Sequence, residues 1–111
     1  MRIMSVPISS EAMKRLDLDE NLKEDLVELN LCHEEYENLK KIGYFSELNN
    51  QLGIMIDDYE DEKIIYESLV LALDITNDFS IKYSDNEKLW RKIKKLISIA
   101  LEKRTAVFLF F

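Results

Sequence analysis

At 111 residues the chain has the length of one domain, and with 47% apolar and 33% charged residues it has the composition of a globular protein rather than of a disordered acidic tail. Its 22 acidic residues outnumber 15 basic ones, which gives a net charge of −7. This balance excludes a protein that binds nucleic acid over its whole surface, because phosphate binding requires a positive footprint. It favours a partner that is itself basic.

The single cysteine, Cys32, excludes an internal disulfide and suits a reducing compartment. The apolar run before Glu11 is too short for the core of a signal peptide. No uncharged apolar stretch reaches the length of a membrane span, because charged residues at 102–104 interrupt the last apolar segment. We therefore expect a cytoplasmic protein that makes no membrane contact.

The chain has two glycines and one proline, so its turns depend on Asn, Asp and Ser. A low number of glycines and prolines favours helices, because these residues most often interrupt them. Ser9 and Ser10 predict the start of a first helix, and Asp19 is placed to cap a second one. The second helix is predicted from apolar residues at helical spacing, namely Leu22, Leu26, Val27 and Leu31. The segment "CHEEYENLKKIGYF" predicts a third helix that stops at Gly43, and Ser46 is placed to cap a short fourth one.

From Asp58 to about Asp74 the apolar residues surround a predicted core helix, and a loop with an extended piece at Phe79–Tyr83 is predicted to follow. Ser84 or Asp85 then caps the last helix, which is predicted to run to about Arg104. Its apolar face consists of Leu89, Trp90, Ile93, Leu96, Ile97 and Ala100.

The tail "RTAVFLFF" has the β-branched and aromatic composition of a strand, with "RIMSVPI" as its candidate partner. The alternative is that the tail is the end of the last helix, inserted into the core. Taken together, the sequence predicts a single domain over residues 1–111 that is mainly α. Its expected architecture is a compact bundle of about five helices, with or without a short terminal strand pair.

Charge is divided along the chain. Residues 1–81 hold 19 acids and 7 bases, whereas residues 82–111 hold 3 acids and 8 bases. One interpretation is that the basic last helix packs beside the acidic helices, with Trp90 in the core. The other is that Lys88–Arg104 contacts a nucleic acid.

The sequence contains no complete residue pattern for a metal site or an active site. His33 has no second histidine to share a zinc ion, and Cys32 is the only thiol. An EF-hand loop that starts at Asp57 would place Glu62 where glycine is needed and Ser68 where a bidentate glutamate is needed. No phosphate loop or nucleophile elbow is present. We expect no catalysis, no metal and no cofactor.

The segment "IDDYEDEKIIYE" at 56–67 carries five carboxylates in six residues, more than a helix start can use. Tyrosines interrupt and follow this run, and tyrosine is enriched at interface hot spots. The segment therefore predicts a protein-binding surface, with a second candidate patch at "HEEYE". The predicted contact residues are Asp57, Asp58, Tyr59, Glu60, Asp61, Glu62 and Tyr66, with Glu34, Glu35 and Glu37 in the second patch.

Through these two segments the chain resembles small acidic bacterial immunity proteins of colicin-type or contact-dependent growth inhibition systems. The resemblance implies a protein that binds a basic nuclease toxin and blocks its active site or its nucleic-acid groove with carboxylates. Two alternatives remain open. The chain could be a regulatory helical protein that contacts nucleic acid through its basic last helix, or it could act as a nucleic-acid mimic.

Overall fold

A four-stranded antiparallel sheet organises the chain, which the computed structural model describes over residues 2–111. Five helices accompany the sheet, so the fold is α+β and the predicted mainly α bundle is wrong. Short 3-10 turns at Tyr66–Ser68 and Ser84–Asn86 precede the last two helices. In chain order the elements are β1 Arg2–Pro7, α1 Ser10–Asp17, β2 Leu26–Leu31, α2 His33–Lys41, α3 Tyr44–Leu52, β3 Asp61–Ile64, α4 Leu69–Lys82, α5 Glu87–Lys103 and β4 Val107–Phe110.

The strand order is β2-β1-β4-β3, so the two terminal strands lie side by side at the centre. Met4 lies opposite both Leu29 of β2 and Leu109 of β4. The predicted pairing of the tail with the first strand is confirmed. It also removes an aggregation hazard, because the apolar tail lies between two neighbours rather than at an edge.

The predicted helix after Asp19 is wrong, because that segment forms a loop and then β2. Asp19 lies in the left-handed region at φ 58° and caps no helix. In β2, Val27 and Leu29 belong to the core face and Glu28 is exposed, which is the two-residue alternation of a strand. Val27 and Leu31 of this face also satisfy a helical spacing, and pairing with β1 makes the segment a strand.

The predicted helix over residues 58–74 is also wrong at both ends. Residues 61–64 form β3 against β4, and α4 continues to Lys82 through the predicted loop and the predicted extended piece at Phe79–Tyr83. The turn-forming residues of this stretch bond to their own helix. The Thr76 hydroxyl donates to the Ala72 carbonyl at 2.7 Å, and the Ser80 hydroxyl donates to the Asn77 carbonyl at 2.8 Å.

The other helices lie where the sequence predicts them, although α5 begins at Glu87 after a 3-10 turn and neither Ser84 nor Asp85 caps it. Ser9 caps α1 by accepting a hydrogen bond from the Ala12 amide at 3.0 Å. α2 ends before Gly43, and all six residues predicted for the apolar face of α5 are buried. α3 begins at Tyr44, two residues before the predicted cap at Ser46.

Helices cover the two faces of the sheet unequally. The main core lies between α2–α5 and the face that carries Met4 and Leu109, with Trp90 fully buried in it. α1 lies over part of the opposite face, where Phe108 and Phe110 point. Within residues 2–111, no helix combines the length and the apolar character needed to cross a membrane.

Candidate acidic docking surface

A tight turn at Asp57–Glu60 connects α3 to β3 and carries the start of the acidic run. The Glu60 amide donates to the Asp57 carbonyl at 3.4 Å, and the Asp57 carboxylate accepts a hydrogen bond from the Asp58 amide at 2.7 Å. Tyr59, the third residue of the turn, has φ 64°. Among the four residues of the turn, Tyr59 is the one with a positive φ. A type II turn has this pattern, and glycine or asparagine is usual at its third position.

Tyr59 is therefore unusual in two respects. Its backbone lies in the left-handed region that a side chain disfavours, and its ring is 89% exposed, so the fold gains little packing from it. Asp57 and Glu60 on either side of it are also exposed. The turn thus displays an aromatic ring between two carboxylates.

Asp58 faces inward and fixes the turn to the rest of the fold. The Tyr36 hydroxyl donates a short hydrogen bond to its carboxylate, and Lys40 of α2 donates another at 3.2 Å. Arg2 lies 3.9 Å from the same carboxylate and stacks over the Tyr36 ring. These bonds hold the pKa of Asp58 below its usual range, whereas burial and the Asp58 charge raise the pKa of Tyr36 to about 12.

The two carboxylates of β3 have different environments. Asp61 is exposed and lies opposite Phe110 of β4. Glu62 is half-buried and bonds to the backbone, since its carboxylate accepts hydrogen bonds from the Met55 and Lys63 amides, both at 2.9 Å. Asp61 is therefore free to meet a partner, while Glu62 mainly holds the preceding loop.

A groove of about 620 Å³ lies between the end of α1 and the outer face of β3 and β4. Phe108 and Phe110 line it with their rings stacked at a centroid distance of 6.2 Å. Carboxylates from two distant segments also line this groove, and Lys63 is the one base among the lining residues of the described chain. The acidic lining residues are Asp17, Asp19, Asp61 and Glu62.

Sequence reasoning missed Asp17 and Asp19. They come about forty residues before the acidic run in the chain, and only the packing of α1 on the sheet brings them to it. The pairing of the terminal strands was the available signal, because it places Phe108 and Phe110 beside the helix that follows β1. We call the exposed residues Asp17, Asp19, Asp57, Tyr59, Glu60 and Asp61 the acidic surface.

The second predicted patch lies on α2, next to the acidic turn. Glu34 and Glu37 are exposed, but Glu35 closes a capping box, in which its carboxylate accepts a hydrogen bond from the Cys32 amide at 3.0 Å. The buried Tyr36 joins α2 to the turn through Asp58. Tyr66 lies on the 3-10 turn after β3, with 39% of its surface exposed.

The basic last helix does not neutralise these acids. Over residues 2–111, the ion pairs of α5 join Arg91 to Glu87 and Lys103 to Glu102, so both are internal to the helix. The interpretation that α5 packs beside the acidic elements therefore involves no ion pair between α5 and another element, although Lys92 and Lys95 line one groove with Glu28 of β2. The apolar face of α5 packs in the core, and its lysines are exposed except Lys94, which is half-buried and donates to the Ser80 hydroxyl at 3.4 Å.

The carboxylates of the acidic surface do not point towards a common centre, as the ligands of a metal ion would. In the part of the chain that the structure describes, no three side chains of His, Cys, Asp or Glu are grouped as metal ligands would be. The acidic surface therefore offers separate negative charges around an aromatic groove, an arrangement suited to several cationic side chains at once.

Comparison with solved structures gives one neighbour of the same fold. The chain superposes on the Neisseria DNA mimic protein DMP12 with a TM-score of 0.63 at 19% sequence identity, covering 100% of both chains. No family model matches the sequence. No curated protein matches it either. At this identity the likeness establishes a shared fold along the full length.

Proposed function

We propose that this protein is a DNA mimic, which binds a basic DNA-binding protein through the acidic surface and occupies the site that DNA would use. The observation that carries the proposal is that these carboxylates have no ion-pair partner within residues 2–111, although the chain has 15 basic residues. Charges that the fold leaves unpaired repel one another and cost stability, so a binding role accounts for their presence.

The mechanism follows from the physics of DNA recognition. A DNA-binding protein gains most of its affinity from Lys and Arg side chains that meet phosphates in a fixed array. Exposed carboxylates on a rigid support can meet the same side chains. Asp58 supplies the rigidity, because its bonds to Tyr36 and Lys40 hold the turn that carries Asp57 and Glu60.

The groove adds an apolar component to this charge array. The half-buried Phe110, stacked on the buried Phe108, offers aromatic surface beside Asp17 and Asp61, and arginine side chains favour such mixed aromatic and acidic sites. The shared fold with a protein named as a DNA mimic supports the proposal as well. It also favours mimicry over contact with nucleic acid through the basic helix.

A narrower candidate is the immunity role that the sequence resemblance implies. A nuclease toxin is itself a basic protein that binds nucleic acid, so the same acidic surface would cover its groove. Co-expression separates the two possibilities. Protection of cells from a toxin encoded beside this gene would support immunity, whereas binding to a non-toxic DNA-binding protein would support general mimicry.

The test is competition with DNA. The partner is recovered on the immobilised protein and then titrated against a short fluorescent duplex. We expect the protein to displace the duplex stoichiometrically, with an affinity that falls as salt rises. A partner that binds the duplex and this protein together, without loss of affinity for either, would contradict mimicry.

Charge-reversal variants locate the site. Asp17→Lys/Asp61→Lys should weaken partner binding by at least about tenfold, because two attractive pairs become repulsive at about 1 kcal/mol or more each. Asp74→Lys/Asp78→Lys on the exposed side of α4 makes the same change in net charge away from the groove. Equal losses in both variants would show a net-charge effect and exclude this site.

A further inference from the structure

β2 forms an open edge of the sheet. It pairs with β1 on one side, and within residues 2–111 no backbone hydrogen bond reaches its other side. Proteins usually protect such an edge with lysine, proline or a short strand. β3, at the other edge, is only four residues long and carries three charges, whereas β2 has six residues and a single charge at Glu28.

A groove of about 370 Å³ runs beside this edge, between β2 and α5. Apolar side chains from both elements line it, and two lysines of α5 join them. The apolar lining residues are Val27, Leu29, Leu96 and Ile99, the lysines are Lys92 and Lys95, and Glu28 and Asn30 of β2 complete the lining. Neither lysine forms an ion pair within the described chain.

We propose that the β2 edge is a second docking site, which accepts an extended acidic segment of a partner protein as a fifth strand. The main chain of the segment would pair with the free amides and carbonyls of β2. On the helix side, its acidic side chains would meet Lys92 and Lys95, while its apolar side chains would cover Val27 and Leu29. Alternating acidic and apolar residues satisfy both requirements, because a strand places alternate side chains on one face.

Charge selects this occupant over a second copy of the chain. Antiparallel pairing of two β2 strands would lay two α5 helices side by side over one continuous sheet. Lys92 and Lys95 of both copies would then share one groove and repel one another. A nucleic acid would satisfy the lysines but would leave the main chain of β2 unpaired.

The site is independent of the proposed DNA mimicry. The acidic surface lies at the β3 edge, and the strand order places β1 and β4 between that edge and β2. A basic partner at one edge and an acidic segment at the other can therefore bind together. One site can also fail experimentally without affecting the other.

The experiment uses a fluorescent peptide of alternating valine and glutamate, as long as β2, with a valine–lysine peptide of equal length for comparison. We expect saturable binding of the glutamate peptide only, with slower hydrogen exchange at the β2 amides. Lys92→Glu/Lys95→Glu should weaken this binding by at least about tenfold. Lys14→Glu/Lys88→Glu, which makes the same charge change outside the groove, should leave it unchanged.

Three results would overturn the proposal. The first is no saturable binding of the glutamate peptide up to millimolar concentration. The second is equal binding to both lysine variants, which would show a general charge effect. The third is protection of the β2 amides that increases with the concentration of the protein alone, together with sedimentation as a dimer, which would assign the edge to a second copy.

Discussion

Replacement of Tyr59 by glycine should stabilise the protein. Tyr59 occupies the third position of its turn at φ 64°, where a Cβ costs roughly 1–2 kcal/mol. Glycine removes that cost, but it also makes the unfolded chain more flexible, which lowers the free energy of unfolding by about 0.4–1 kcal/mol. Because the ring is 89% exposed, little packing is lost. The two ranges leave a net gain in the free energy of unfolding of about 0–1.6 kcal/mol, and their midpoints give about 0.8 kcal/mol, or about 3 °C in Tm.

Tyr59→Ala is the matched control. It removes the same exposed ring but keeps the Cβ, so its free energy of unfolding should lie within about 0.5 kcal/mol of the parent value. Urea unfolding followed by circular dichroism measures all three proteins, and equal m-values would show that the folded states are comparable. The difference between the glycine and alanine variants isolates the backbone strain.

The strain also has a functional consequence. A strained residue persists when its side chain or its conformation is used. We therefore expect both Tyr59 variants to bind the basic partner more weakly than the parent, although the glycine variant is the more stable. If glycine lowered the stability, the strain argument would fail. If both variants bound the partner with full affinity, the ring would have no part in the contact.

Three further predictions concern the fold. Asp25 accepts two hydrogen bonds from Arg15, which together with a backbone amide hold its pKa at about 2. The wild-type protein should therefore have a higher free energy of unfolding than Asp25→Asn at neutral pH, and this difference should be lost as the pH falls from about 4 towards 2. The buried Tyr44 hydroxyl bonds to Thr76 at 2.8 Å; calorimetry should show Tyr44→Phe costing about 1 kcal/mol and Thr76→Val about 2, since only the second leaves a buried hydroxyl unpaired. Arg104 ends α5 at φ 55°, so Arg104→Gly should raise the urea midpoint, and a lowered midpoint would contradict this.

The sequence predicted structure best where the apolar residues fitted either a helical period or a strand alternation, but not both. The face of α5 has a helical period with no competing alternation, and it was predicted correctly. The tail from Thr105 has the composition of a strand but also fitted the end of the last helix, and of these two conformations the structure has the strand. β2 was missed because Val27 and Leu31 fit two periods. β3 was missed because Asp-Glu-Lys has low strand propensity, and the neighbouring apolar β4 imposes the strand on it.

Asp25 shows a further limit of the sequence. It stands in a run of polar residues, yet it is buried and pairs with Arg15, where it holds the loop that leads into β2. Nothing in the run "NLKEDLVELN" distinguishes this carboxylate from Glu24, which is exposed. The distinction arises from the position of α1 on the sheet, which is a tertiary property.

The density of acids in a sequence does not measure the charge that the folded protein presents to a partner. The run at 57–62 has five carboxylates, yet Asp58 and Glu62 are engaged within the fold. The end of α1 brings two other carboxylates to the groove. The negative surface is therefore set by strand order as much as by the acidic run. Because the same order places the lysines of α5 at the far edge of the sheet, it also keeps them from neutralising that surface.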